Sequence, residues 1–210
     1  ALPDMKPLRH CKALRFTKAD LIDDHCLRGA VSCKNLETIR FHVCRFERNG
    51  LRGLDGHPGV VEITITNSSV AGSTLVLPEL PSLQSFRGNA ARFRRLDVSR
   101  TPNLRRVEAK NCSFSDEGVR MLLDAPQIEV LMVPHGTLTD AAIDDLLELQ
   151  SLRYLDLRGN HRVTRTGLVR LADLSRLETV NLWGTIMEDR SELESVREAL
   201  PQARSHWDQL

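Results

Sequence analysis

The chain has 210 residues, 41% of them apolar but only 4% aromatic, so a continuous core is within reach and must be filled by Leu, Val and Ile rather than by rings. Its net charge of +1 conceals a split: residues 1–110 hold 19 Lys and Arg against 11 Asp and Glu, and residues 111–210 hold 10 against 17. No stretch is long and apolar enough to span a membrane, and no basic-then-apolar leader stands at the N-terminus.

An apolar signature recurs eight times. Its frames begin at Cys11, Leu36, Val60, Leu83, Leu104, Ile128, Leu152 and Leu177, with starts 25, 24, 23, 21, 24, 24 and 25 residues apart. Each frame reads apolar, two variable, apolar, one variable, then apolar or small. Period-two spacing at the head of a frame predicts a strand, and spacings of three to four toward its end predict a helical segment.

In chain order, Leu2, Met5, Leu8 and Cys11 repeat the spacing of Leu168, Leu171, Leu174 and Leu177. Residues 1–10 therefore read as the tail of a truncated upstream repeat, and the chain as part of a longer one. The first frame continues with Ile22, Leu27, Ala30 and Cys33, and the second with Phe46, Leu51 and Leu54. Val70 to Pro81 and Phe93 to Pro102, in frames three and four, carry Pro78, Pro81 and Pro102 and lack a helical stripe; extended or 3₁₀ connections are expected. Frame five has Phe114, Val119, Leu122 and Ala125 behind a helix start at Ser115-Asp-Glu117. Frame six has Leu138, Ile143, Leu146 and Leu149 behind Thr139-Asp140. Frame seven is the fullest copy, Leu152-Arg-Tyr-Leu155-Asp-Leu157-Arg-Gly-Asn160 followed by Val163, Leu168, Leu171 and Leu174. Met187 to Leu200 reads as an amphipathic helix with the capping-box pattern Ser191-Glu-Leu-Glu194, and residues 185–210 read as a capping segment in which Ala203 to Trp207 could close the last turn.

Five cysteines are present, with no C-x-x-C pair. Cys11 occupies a first-anchor position and Cys33 a late helical one. Cys44 and Cys112 fall eight residues after their frame starts, where frame seven has Asn160, frame three Ser68 and frame eight Thr185. A small weak donor suits an inward-turning position that bonds neighbouring backbone. Buried reduced thiols and a reducing, cytoplasmic compartment are expected.

Cys33-Lys-Asn-Leu36 with Cys44, Cys112, Ser115-Asp-Glu-Gly118, and Leu152 to Asn160 followed by Thr166-Gly-Leu168 resemble the cysteine-containing and ribonuclease-inhibitor-like leucine-rich repeats, over essentially the whole chain. The resemblance implies an α/β leucine-rich repeat solenoid of about eight repeats, a single domain over residues 1–210. It would have a parallel sheet on the concave side and helices with irregular segments on the convex side. Proteins of that superfamily are binding scaffolds found in substrate-recognition parts of F-box ubiquitin ligases, in nuclease inhibitors and in bacterial effectors. This chain shows no F-box segment, and the ribonuclease inhibitors have longer repeats.

Strand alternation assigns three outward columns. The first holds Ala13, Thr38, Glu62, Ser85, Arg106, Val130, Tyr154 and Thr179. The second holds Arg15, Arg40, Thr64, Arg87, Glu108, Met132, Asp156 and Asn181, and the third Thr17, His42, Thr66, Asn89, Lys110, Pro134, Arg158 and Trp183. Eight strands at about 4.8 Å make a wall of roughly 35 Å, enough for a protein partner. Val130, Met132, Pro134, Tyr154 and Trp183 form an apolar and aromatic cluster, the expected anchor, with Asp156, Arg158 and Asn181 beside it. A segment around Trp207 could instead cover Met132 and Trp183. Arg15, Arg40, Arg87, Arg106 and Lys110 form a basic stripe, reinforced by Arg92, Arg94 and Arg95, that could steer an acidic protein surface or phosphates. The basic half's columns lack aromatics for base stacking, which argues against nucleic acid.

Catalytic and metal-binding patterns fail on spacing. Consecutive helical residues point about 100° apart, so Asp23-Asp24-His25-Cys26 does not converge on one metal. Gly50, Gly53 and Gly56 surround the anchors Leu51 and Leu54 rather than leading a strand into a helix. His10, His42, His57, His135, His161 and His206 lie in different repeats or at loops. Asn67-Ser-Ser69 and Asn111-Cys-Ser113 match the glycosylation acceptor pattern and are read as accidental. The expectation is a monomeric, non-catalytic scaffold with no cofactor or metal that binds another protein on its concave face. The rivals are a substrate-selecting segment of a larger ubiquitin ligase or secreted effector acting in a host cytosol, and a phosphate or nucleic-acid binder using the basic stripe.

Overall fold

The computed structural model describes residues 10–185 and 190–205. Each frame head forms a strand: β1 (Ala13–Thr17), β2 (Thr38–His42), then, after β3 (Arg45–Phe46), β4 (Glu62–Thr66). After β5 (Ser69–Val70) and β6 (Thr74–Val76) come β7 (Ser85–Asn89), β8 (Arg95–Asp97) and β9 (Arg106–Lys110). β10 (Val130–Met132), β11 (Tyr154–Asp156), β12 (Thr179–Asn181) and β13 (Arg204–Ser205) complete the series. One parallel nine-stranded sheet runs β1-β2-β4-β7-β9-β10-β11-β12-β13, while β3–β5 and β6–β8 are separate two-stranded ladders.

The register is the one that the frames dictate. Ala13 faces Thr38, Thr38 faces Glu62, and the line continues through Ser85, Arg106, Val130 and Tyr154 to Thr179. Parallel strands need a crossover of a dozen or more residues, and a repeat of about two dozen supplies one. Frame anchors from Leu36 to Leu182 point inward and are fully buried, joined in one continuous apolar cluster. Leu14 and Phe16 on β1 are half-buried against it. Phe41 stacks on Phe16 at 5.0 Å between ring centroids, and Phe93 sits edge-on between Phe86 (5.9 Å) and Phe114 (6.4 Å). Gly88 stands at the third anchor of frame four because a Cβ there would lie 2.7 Å from the Phe93 ring.

Where each strand ends, the backbone turns left-handed. Lys18, Val43, Asn67, Ala90, Asn111, His135, Gly159 and Gly184 each lie seven residues after a frame start, with φ between +49° and +68°. Only two are glycine. The N–H groups of the first seven donate to carbonyls of the following repeat at 2.6 to 3.4 Å, so the turn extends the ladder and the backbone strain is offset by an inter-repeat bond. One residue on, the chain turns inward. There Ser68 Oγ donates to Thr66 O and accepts from Cys44 N–H, and the Asn160 carboxamide donates to Val133 O and Leu157 O and accepts from Leu138 N–H. The Cys112 thiol donates to Lys110 O at 3.3 Å in the equivalent place.

On the far side, frames one and two carry 3₁₀ turns at Arg28–Ser32 and Arg52–Leu54. Frames three and four carry only short extended pieces and a 3₁₀ turn at Ala71–Ser73, as their prolines predict. Frames five to eight carry α1 (Asp116–Arg120), α2 (Ala141–Glu148), α3 (Arg165–Val169) and α4 (Arg190–Ala199). Ser115 caps α1 by accepting from Gly118 N–H at 3.4 Å. Asp140 caps nothing; its carboxylate accepts from Thr164 N–H (2.7 Å) and O–H (2.6 Å) one repeat away, as Asp116 accepts from Thr139 (2.8 and 2.7 Å). The helix expected from Met187 is α4, and its first residues, the Ser191 cap, the segment through Trp207 and the upstream tail at Leu2, Met5 and Leu8 fall outside the described residues or side chains. Among the described residues no helix is long and apolar enough to cross a membrane.

Candidate recognition surface

The open face of the sheet carries the three columns as the alternation assigns them, but its electrostatics differ from a free basic stripe. Glu62 on β4 and Glu108 on β9 stand inside that stripe. Arg40 and Arg87 approach Glu62 at 3.7 and 3.6 Å, and Arg87, Arg106 and Lys110 approach Glu108 at 3.6, 2.7 and 2.9 Å. Glu108 is 7% exposed, and burial opposes its charge, yet the bonds from Lys110 and Arg106 hold its carboxyl below the ordinary glutamate value. Of the five predicted cations, Arg15 on β1 alone is exposed and without a carboxylate among the described residues. Arg40 and Arg87 pair across strands, and Arg106 and Lys110 pair with Glu108 along their own strand.

The C-terminal half is revised in the same way. Val130, Met132 and Tyr154 are half-buried neighbours on β10 and β11, and Trp183, just past β12, is 50% exposed. Burial, then the Asp156 charge, pushes the Tyr154 phenol up, so it stays a neutral donor at neutral pH. Pro134, expected in the apolar cluster, is buried, because the chain is already turning inward there. Asp156, expected beside the cluster, is fully buried: Arg158 lies over it, with Nε at 3.0 and 3.1 Å and Nη2 at 2.8 Å from its oxygens, and the Arg158 N–H adds a bond at 3.1 Å. This pairing raises the Arg158 pKa further. Asn181 is half-buried and its Oδ1 accepts from Trp183 N–H at 3.3 Å, setting the turn that presents the indole. Arg106 also reaches across to Met132, Nη2 to Sδ 3.7 Å, joining the charged and apolar halves. The covering role weighed for Trp207 concerns residues outside those described.

Glu62 and Glu108 stand in the columns that the alternation assigns, and their neutralising the stripe is not part of that pattern. Alternating sign between column neighbours was the available signal. The five cysteines are free, with Cys33, Cys44 and Cys112 buried as their positions predict and Cys11 and Cys26 half-buried; Cys11, at a first-anchor position, is therefore less enclosed than expected. Burial pushes the Cys112 thiol up to about 12. Among the described residues no group of three His, Cys, Asp or Glu is placed to hold a metal ion.

The chain matches no protein-family model and no curated protein. Among solved structures it is similar to TLR13 in its complex with ssRNA13, with a TM-score of 0.57 and 20% identity over 92% of this chain and 32% of that one. It is also similar to the internalin inlF from Listeria monocytogenes str. 4b F2365, with a TM-score of 0.47 and 14% identity over 96% of this chain and 75% of that one. The fold is a leucine-rich repeat solenoid. Its sheet face is a ladder of short parallel strands whose outward residues vary while the inward ones repeat.

Proposed function

We propose that this leucine-rich repeat chain is a non-catalytic recognition scaffold that binds a partner protein on the open, concave face of its sheet. The observation that carries the reading is one patch. Val130, Met132, Tyr154 and Trp183 put apolar and aromatic area at the surface beside arginines whose charges are already tied to carboxylates. Such a patch offers large contact area at low ordering cost, and the prepaired arginines give orientation without an unpaired charge to desolvate. Asn181 and Arg158 border it, and Arg15, Arg40, Arg87, Arg106 and Lys110 form its polar flank. The inward-turning Cys44 and Cys112 favour the cysteine-containing subtype and a reducing, cytoplasmic setting.

The test compares wild-type chain with a Tyr154→Ala, Trp183→Ala double variant, checked as folded by circular dichroism, in affinity capture from source-cell lysate. A protein held by the wild type and lost from the variant supports the reading. Equal retention by both removes the patch from the interface. Should the captured species be RNA, and its retention fall steeply with salt, the phosphate-contact reading replaces this one.

A further inference from the structure

Apart from Arg15 on β1, a group of arginines without carboxylate partners lies along an edge of the solenoid, where the chain has left the sheet-face strands and turns toward the convex side. On the sheet face Arg40, Arg87, Arg106 and Arg158 each meet a carboxylate. Arg92, Arg94, Arg95 and Arg162 meet none among the described residues, although three of them fall within the four residues Arg92-Phe-Arg-Arg95. Such a density of unpaired like charge is unfavourable in an empty site.

We propose that Arg94, Arg95 and Arg162 form an anion site for a phosphate monoester. They line one open cleft of about 570 Å³. Its floor is a strip of successive repeats: Arg94 N–H donates to Ser73 O (2.8 Å), Ser115 N–H to Arg94 O (3.1 Å), and Thr139 bridges to Arg162. Arg94 and Arg162 thus belong to repeats three intervals apart, about 14 Å at sheet spacing. Of the two lining carboxylates, Asp116 is turned to Thr139, from which it accepts two bonds, and Glu117 is exposed at the rim, so three guanidinium groups outnumber two carboxylates, neither of which pairs with them. Arg95 supplies an independent sign. Its Nε is sealed from solvent and meets no acceptor, so the present rotamer strands a donor that a turn toward an anion in the cleft would satisfy. A lone carboxylate occupies one guanidinium fork; a phosphate dianion offers three oxygens and two charges, and suits forks arriving from two sides.

The probe is inorganic phosphate against chloride at matched ionic strength, read as thermal unfolding by circular dichroism. Wild type, Arg95→Gln, Arg162→Gln and, as a control outside the cleft, Arg48→Gln are compared. A saturable rise in Tm of about 3 °C at ten times Kd is expected in wild type and Arg48→Gln, falling by at least half in Arg95→Gln and Arg162→Gln. Arg162→Gln, on a different repeat, carries the test if Arg95→Gln fails to fold. The same unsaturating rise in all the proteins is the exclusion effect that phosphate exerts on any protein, and overturns the site. Phosphoserine and glucose 6-phosphate, titrated in the same assay, tell a protein-borne monoester from a metabolite by which binds tighter. The sheet-face variant Tyr154→Ala, Trp183→Ala keeps the phosphate response, so this site and the protein-binding face fail or stand separately.

Discussion

Val43 holds a β-branched side chain at φ +55°, in the left-handed region where Cβ crowds the following carbonyl, and its side chain is exposed with little packing to compensate. Asn67 and Asn111 occupy the same turn position in other repeats with a residue that tolerates it. Val43→Asn is therefore expected to stabilise the protein by about 1 kcal/mol, seen as a higher urea midpoint at unchanged slope; a lower midpoint would mean that Val43 packs more tightly than its exposure indicates. Gly159 in the same column has a different constraint, since a Cβ there would lie 2.3 Å from His135 Nδ1. One backbone conformation thus recurs eight times with unequal strain, set at each repeat by which side chain the neighbour lays over it.

At the scale of elements, the strands are held by their ladder and the helical side by polar bonds between repeats. Asp116 with Thr139 and Asp140 with Thr164 form equivalent steps one repeat apart, each carboxylate accepting both the N–H and the O–H of a threonine at the next helix entrance. Two charge-assisted bonds per step should couple the partners. A double-mutant cycle of Asp140→Ala and Thr164→Val is expected to give a coupling of about 1 kcal/mol in urea unfolding, whereas a value near zero would assign the helix packing to apolar contacts alone. Along the strand entrances, Arg105 pairs with Glu129 and Arg153 with Glu178 at 2.7 Å, so a register slip would forfeit charge pairing as well as core anchors.

For the whole molecule, the response to acid draws on two buried groups far apart in the solenoid. His57 is fully buried; burial lowers its pKa from 6.5, outweighing the bond between its Nε2 and Cys33 O at 3.2 Å, and Nδ1 accepts from Gly59 N–H. The unfolded chain therefore binds a proton there that the folded chain refuses, and stability falls as pH drops below about 6.5. Glu108 has its folded pKa lowered, so its contribution is present above the unfolded value of about 4.3 and is lost as pH falls through the folded one. Urea midpoints are expected to be flat between about pH 7 and 8, to decline below about 6.5 and again in the acid range, and to decline above about 8.5, where the Cys112 thiol ionises in the unfolded chain and stays protonated in the folded one. His57→Gln should abolish the first decline and keep the second; an unchanged first decline would place it on another histidine. Because each repeat contacts only its neighbours, such a local loss destabilises the stack where His57 sits, in the N-terminal half.

The sequence by itself determined the number of repeats, the strand positions, the register and the three outward columns, because all of these follow from a period-two pleat set on a repeat of nearly constant length. Prolines in frames three and four and the serine before α1 likewise announced local conformations that need no partner. Only the tertiary structure decided which outward residues are available. Asp156 is buried because Arg158 folds over it; Arg40 and Arg87 are neutralised by Glu62 and Glu108 on neighbouring strands, and Arg106 and Lys110 by Glu108 on their own strand. Pro134 turns inward beyond the end of β10, and His57, scattered among the histidines by sequence, is a core residue bonded to the preceding repeat. A column position is a property of one strand's backbone. Exposure, pairing and charge at that position depend on rotamers, both of residues two places along the chain, as for Arg158 over Asp156, and of residues about two dozen places away on a neighbouring strand, as for Arg87 and Glu62, and no apolar periodicity encodes them.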